Sequence, residues 1–275
     1  MTVTGSYDAH GHAGADNRPA PAGHRRDARR GADARRGADA RQGVDTRQGV
    51  DTRHDTEDFS RPVRTRWPLA GLAAAVLAPV GSFILGWDPD DVTVREGTDA
   101  IYEAAGDHRV DFWVGGSIGF VAVLLLLGFA AGLTRLLERR APDSLAVPAA
   151  KLAFAAALGG LMFSFGLKHV LAGGVPGGID SSFYTKTDVE VLALVVSQMQ
   201  YAAWWGVLAA AACVAVVTLR YRVLPLWFGI VSAVLAGVSI TATVAIGLPY
   251  SAGLLAPVWL LAAGIVTLRL RDREI

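Results

Sequence analysis

Apolar residues in this chain come in long unbroken runs, with neither the two-residue alternation of a strand nor the half-apolar period of a surface helix. A bilayer core about 30 Å thick takes roughly 20 apolar residues of helix. Runs of that length fall at about 67–87, 112–133, 148–168 and 191–219. The last run, Val223 to Leu268, holds 46 residues without a charged side chain, long enough for two crossings. Gly247-Leu248-Pro249-Tyr250 divides it, because Gly and Pro together favour a tight reversal. The pattern predicts an all-α transmembrane bundle of six helices, the last two over about 224–246 and 250–268.

Residues 1–66 read differently. From Asp27 to about residue 55 a six-residue unit recurs, DARRGA drifting to DTRQGV, with Asp27, Asp33, Asp39, Asp45 and Asp51 in register. Such a period builds no apolar face for a helix or a strand, and each unit carries a glycine, so this tail is expected to be disordered. Its arginine pairs suit anionic lipid or a partner protein, although the interleaved aspartates cancel much of that attraction. His10, His12 and His24 have no folded frame to hold a metal. No apolar stretch follows Met1, which argues against a cleavable secretory signal and makes the first run an anchor.

Charge sharpens the picture. The formal net charge is +1, yet the first 66 residues hold 23 of the 51 charged side chains, and the remainder is only about 13% charged. Soluble domains run near roughly 25%. Arg66, Arg135, Arg139, Arg140, Lys151, Arg220, Arg222, Arg269, Arg271 and Arg273 cluster at one set of helix ends. The other side carries residues 88–111, with eight acidic side chains against Arg95 and Arg109. By the positive-inside rule both termini are cytoplasmic, and the compartment is a bacterial cell membrane, the abundance of Arg over Lys (23 to 3) suiting a GC-rich genome. Cys213 is the single cysteine, so neither an intrachain disulfide nor a cysteine metal site is available.

Small residues mark expected helix contacts: Gly115 with Gly119, Gly128 with Gly132, and Gly229, Ala233 and Gly237 four apart. Pro79 and Pro257 predict kinks. Thr187-Asp188-Val189-Glu190 reads as a capping box that starts the fourth helix near Asp188. A continuous helix from there to Leu219 is about 48 Å long, so its first turns project beyond the bilayer. Those turns are apolar on nearly every side and need cover. The segments 88–111 and 173–190 are expected to supply it as a small outer cap, with a short helix over Asp99–Ala105 stopped by Gly106.

Beneath that cap, Ser197, Gln200, Tyr201 and Trp204 share one face at helical spacing, with Gln198 and Trp205 beside them and Lys168 and His169 at the same depth. Together they are a candidate outer-face polar pocket. The same residues also make an aromatic belt with interhelical hydrogen bonds and a snorkelling lysine, the more common arrangement. Asp88, Asp90, Asp91, Asp107, His108 and Asp111 are oxygen-rich but lack any known ligand spacing, so no metal and no cofactor is expected.

Gly115-Gly116-Ser117-Ile118-Gly119 matches G-x-S-x-G only as a string, since it lies inside a helix rather than on a strand-to-helix elbow. Rhomboid proteases use a helical G-x-S with a histidine on another span. Here only His169 is placed to be such a base, and the glycines read better as a packing face. No phosphate-binding loop, H-E-x-x-H or intramembrane carboxylate pair occurs, which disfavours proton-driven transport.

Leu224-Pro225-Leu226-Trp227-Phe228-Gly229, Pro257-Val258-Trp259-Leu260-Leu261 and Gly128-Phe129-Ala130-Ala131-Gly132-Leu133 resemble the corresponding spans of uncharacterised six-span integral membrane proteins of actinobacteria, over roughly residues 67–270. The resemblance implies a fold and a compartment and carries over no catalytic residue. The expected role is a non-enzymatic accessory, sensor or interaction subunit that meets the lipid bilayer and a protein partner through the tail or the cap. The alternative is a facilitator or binding protein for a small neutral or cationic molecule. No nucleic-acid partner is expected, and self-association is left open.

Overall fold

The computed structural model describes residues 66–248 and 250–272. The tail repeat and its histidines lie outside them. Among the described residues the fold is all-helical, and six helices are long and apolar enough to cross a membrane.

The first crossing is α1 (Trp67–Pro79) extended by a π-helical turn, Val80–Ile84. Pro79 lacks an N–H and cannot continue the ladder, so the chain widens immediately after it. Two short helices follow, α2 (Asp91–Glu96) and α3 (Thr98–Asp107), then the long crossings α4 (Arg109–Arg140) and α5 (Ala146–Gly174). Next come α6 (Lys186–Ala202) and α7 (Trp205–Tyr221), and finally α8 (Leu226–Ile246) and α9 (Ser251–Asp272). The α8–α9 turn is closed by Gly247 at φ 73°, while the amide of Leu248 donates to Ala242 O at 3.0 Å, a left-handed cap for which glycine is suited.

Two expectations about the fourth crossing are corrected. The capping box sits two residues earlier, where Thr185 Oγ1 accepts from the Asp188 amide at 3.2 Å and the Asp188 carboxylate accepts from the Thr185 amide at 2.9 Å. Both strings satisfy the pattern, but Thr185 is the extended residue, at φ −80° and ψ 162°. The helix is also not continuous, since α6 and α7 are separated at Ala203 and Trp204. Tyr201 stacks on Phe83 at 5.1 Å and meets Tyr250 edge-on at 4.9 Å, which sets it level with the cap-side ends of α1 and α9. From Tyr201 to Tyr221 is about 30 Å of helix, one hydrocarbon core. The apolar span is Lys186–Tyr221 as a whole: α7 with the last turn of α6 accounts for one core thickness, and the earlier turns of α6 pack on α3 and the end of α5.

Close approach of backbones shapes the body. A Cβ added at Gly81 would lie 2.6 Å from Gly115 O, and at Gly115 it would collide with Leu85 O. Gly132 faces the indole of Trp67, Gly119 the ring of Phe165, and Gly206 the backbone of α5 at Ala157. Such contacts take the place of a hydrophobic drive between helices in lipid. Two of the expected small faces do not hold throughout: Gly128 and Gly237 have open space where a side chain would go, while Gly229 packs on Thr218. Eight residues of helix turn the direction by about 80°, which carries Gly237 off the face that Gly229 gives to α7. An aromatic spine fills the centre, running Trp67, Phe129, Phe154, Trp259 and Phe228 with ring centroids 5.7–6.5 Å apart. Its indole is anchored, since Trp259 Nε1 donates to Ser232 Oγ at 2.8 Å.

At the end of the bundle away from the arginines, a second apolar core forms the cap. Ile101 and Ala105 of α3, Phe112 of α4, Leu171, Ala172 and Val175 at the end of α5, and Val189, Ala193 and Val196 of α6 are buried together. Thr98 Oγ1 donates to Glu190 at 2.7 Å, Lys186 pairs with Asp99 at 2.6 Å, and Arg109 donates to the carbonyl of Gly177. The cover of α6 is one-sided, however: Val191, Leu194 and Val195 remain 56%, 39% and 41% exposed.

Candidate functional site

Lys168 organises the cap end of the bundle. It lies two turns before the end of α5, is fully buried, and its ammonium donates to the carbonyls of Gly81 at 2.6 Å, Ser82 at 2.7 Å and Leu85 at 3.2 Å. A lysine has three N–H bonds, and all three are directed at backbone oxygens. Those oxygens are exposed because the chain widens after Pro79 and then leaves the helix at Leu85, and a cation at a helix C-terminus is also favoured by the backbone dipole. Gly86 leaves room for the ammonium: a Cβ there would lie 2.8 Å from Lys168 Nζ and 3.5 Å from Gln200 Oε1, so the lysine and the glutamine meet at this glycine.

The remaining members of the expected pocket are divided among separate places. His169, next to Lys168, faces α4, where its ring fills the space above Gly116 and lies 5.4 Å from Phe120. Tyr201 belongs to the aromatic contact with Phe83 and Tyr250. Ser197 is buried and donates to Leu194 O at 2.9 Å, within its own helix. Gln198 is exposed, its amide 3.4 Å from Ser197 Oγ. Trp204 is wholly inside the central core, and Trp205 is half-buried against it. Lys168 and Gln200 are thus the pair that the structure brings together.

Sequence reasoning missed Ser82, Ser164 and Gly86. The hydroxyls of Ser82 and Ser164 and the indole N–H of Trp204 are buried with no hydrogen-bond partner among the described residues. Ser82 supplies a carbonyl to Lys168, while Ser164 and Trp204 stand one turn away from Lys168 and Gln200 along their helices, Trp204 within the central core. One signal was available: a lysine inside an apolar run, far from any intramembrane carboxylate, has to take carbonyls, and Pro79 frees them.

Ser117 Oγ lies 3.2 Å from His169 Nε2, while His169 Nδ1 lies 3.1 Å from Phe165 O. The second contact suits an Nδ1–H tautomer and leaves the Nε2 lone pair toward the serine. The single Ser117 hydroxyl hydrogen has a competing acceptor in its own helix, Trp113 O at 2.9 Å. Acyl transfer further requires N–H donors aimed at a developing oxyanion. Ser117 is in the middle of α4, where the neighbouring amides are engaged in the helix ladder, and Gly115, Gly116 and Gly119 each have a packing reason to be glycine.

Around the acidic segment, His108 Nδ1 meets Asp111 at 2.9 Å, Trp87 stacks on the His108 ring at 5.8 Å, and Asp90 caps α2 through the Thr93 amide at 2.7 Å. No three metal-ligating side chains converge among the described residues. Comparison with known proteins finds no family model, no curated protein and no solved structure that matches. What stands established is the class: the described residues form an all-helical transmembrane bundle with six helices long and apolar enough to span a bilayer.

Proposed function

We propose that this protein is a non-enzymatic accessory or sensor subunit of a bacterial cell membrane, with both termini in the cytoplasm and the cap outside. The observation that carries this reading is the use of the polar groups at the cap-end junction. Lys168 gives all three of its N–H bonds to the end of the first crossing, and Ser197 is bonded within its helix, so these groups hold the fold rather than face a ligand. The orientation is supported by the arginine-rich helix ends and by the acidic cap, whose segments 88–111 and 173–190 carry eleven carboxylates against three basic side chains. In this reading the cap and the tail present themselves to a partner, and the bundle supports them.

One observation favours a second reading, a facilitator or binding protein for a small neutral or cationic molecule. Ser82, beside Lys168, and Ser164 and Trp204, one turn away along their helices, keep buried polar atoms without partners among the described residues, and such groups suit a polar guest. Extraction of a tagged chain in mild detergent separates the two. Stoichiometric recovery of one protein partner supports the accessory role, and a lone chain after such extraction speaks against it.

A further inference from the structure

The exposed apolar stripe of α6 lies on the cap side of the bundle. Tyr201 is level with the cap-side ends of α1 and α9 through Phe83 and Tyr250. Leu194 and Val191 are seven and ten residues beyond it, about 10 Å and 15 Å farther along the axis. The headgroup layer adds only about 5–8 Å on each side of the core. The backbone stays right-handed helical between the two helices, at φ −59° and ψ −23° for Ala203 and φ −79° and ψ −10° for Trp204. The chain therefore makes no reversal between α7 and α6, and α6 leads on toward the cap.

The opposite face of α6 is taken by α3 and the end of α5. On the uncovered face, Val191, Leu194 and Val195 stand at i, i+3 and i+4. An apolar helical stripe that no other part of the chain covers, with Asp188 and Gln198 exposed at its two ends, is the form of surface that marks a protein contact. Charge decides between occupants. The cap segments carry eleven acidic against three basic side chains, and Glu96, Glu103 and Asp107 are exposed. A second copy of the chain brings the same excess of negative charge against it, whereas a basic partner is attracted.

We propose that Val191, Leu194 and Val195 dock an apolar segment of a partner protein that is flanked by Lys or Arg, with the acidic cap supplying the complementary charge. This rests on the accessory reading and names the surface and the kind of partner.

The test is photo-crosslinking in intact membranes from p-benzoylphenylalanine placed at Leu194 of the full-length chain, with co-purification measured in parallel from the same cells. The expected adduct joins a second kind of chain, and the cross-linked peptide, sequenced by mass spectrometry, holds an apolar run beside basic residues. Its yield falls roughly fivefold or more in the combined variant Glu96→Gln, Glu103→Gln, Asp107→Asn, at unchanged protein abundance. Adducts to phospholipid, adducts to another copy of this chain, or a yield indifferent to the charge variant overturn the proposal. A partner that co-purifies but does not cross-link from Leu194 overturns this surface and leaves the accessory reading standing. Absence of any co-purifying partner removes both.

Discussion

Lys168 and Gly81 face each other across two crossings, the ammonium of one 2.6 Å from the carbonyl oxygen of the other. With the neighbouring bonds to Ser82 and Leu85, this contact closes the end of the first helix. Lys168→Met keeps the length of the side chain and removes the donor, leaving backbone oxygens in an apolar site. The expected cost is about 2–4 kcal/mol, read as a lower unfolding temperature of the detergent-solubilised protein. An unchanged unfolding temperature would show that the lysine is dispensable to the fold.

The glycines separate into two classes. At Gly115 an alanine meets the Leu85 carbonyl, which is backbone and cannot swing away, so Gly115→Ala is expected to destabilise by more than about 2 kcal/mol or to prevent folding. Gly128 and Gly237 face open space, and alanine there is expected to be neutral or stabilising by up to about 1 kcal/mol through helix propensity. Thermal unfolding of the three single variants in one detergent decides this.

The cap has its own core and few bonds to the spine, so it is expected to loosen by itself. Ile101→Ala removes a fully buried side chain of α3 and is expected to cost about 2–4 kcal/mol locally. Hydrogen exchange should then rise in α3 and the first turns of α6 while α4, α7 and α9 keep their protection. Uniform loss of protection would mean that cap and bundle unfold as one unit.

His169 fills the space above Gly116, and the contact with Ser117 ties α4 to α5. If that contact is packing, His169→Ala lowers thermal stability and abundance together, while Ser117→Ala, which removes one exchangeable hydrogen bond, costs only about 0.5–1.5 kcal/mol. A serine-reactive fluorophosphonate probe should leave Ser117 unlabelled. Labelling that disappears in both variants would reopen the acyl-transfer reading.

The six crossings were legible because lipid imposes a simple demand: length without charge, met over Trp67–Trp87 and again over Val223–Leu268. The cap was legible too, since apolar turns at Val189 and Leu192 need cover and the 88–111 segment was long enough to give it. The separation of α6 from α7 was not. Tyr201-Ala202-Ala203-Trp204 contains neither Gly nor Pro, and the interruption arises where Trp204 enters the central core and Ala203 packs on Gly160. Thr185 and Thr187 offered equivalent capping strings, and the choice depended on where the preceding turn delivered the chain. The pocket failed as a unit because adjacent residues on a helix point about 100° apart, which sends Lys168 to the first crossing and His169 to α4.

Stopped-flow light scattering on liposomes containing the purified protein, challenged with a gradient of a small neutral solute such as glycerol, tests the account most directly. If the junction around Lys168 and Gln200 is committed to holding the fold, solute entry proceeds at the rate of protein-free vesicles. Faster entry that Gln200→Ala abolishes, with the variant folded and equally incorporated, would contradict it.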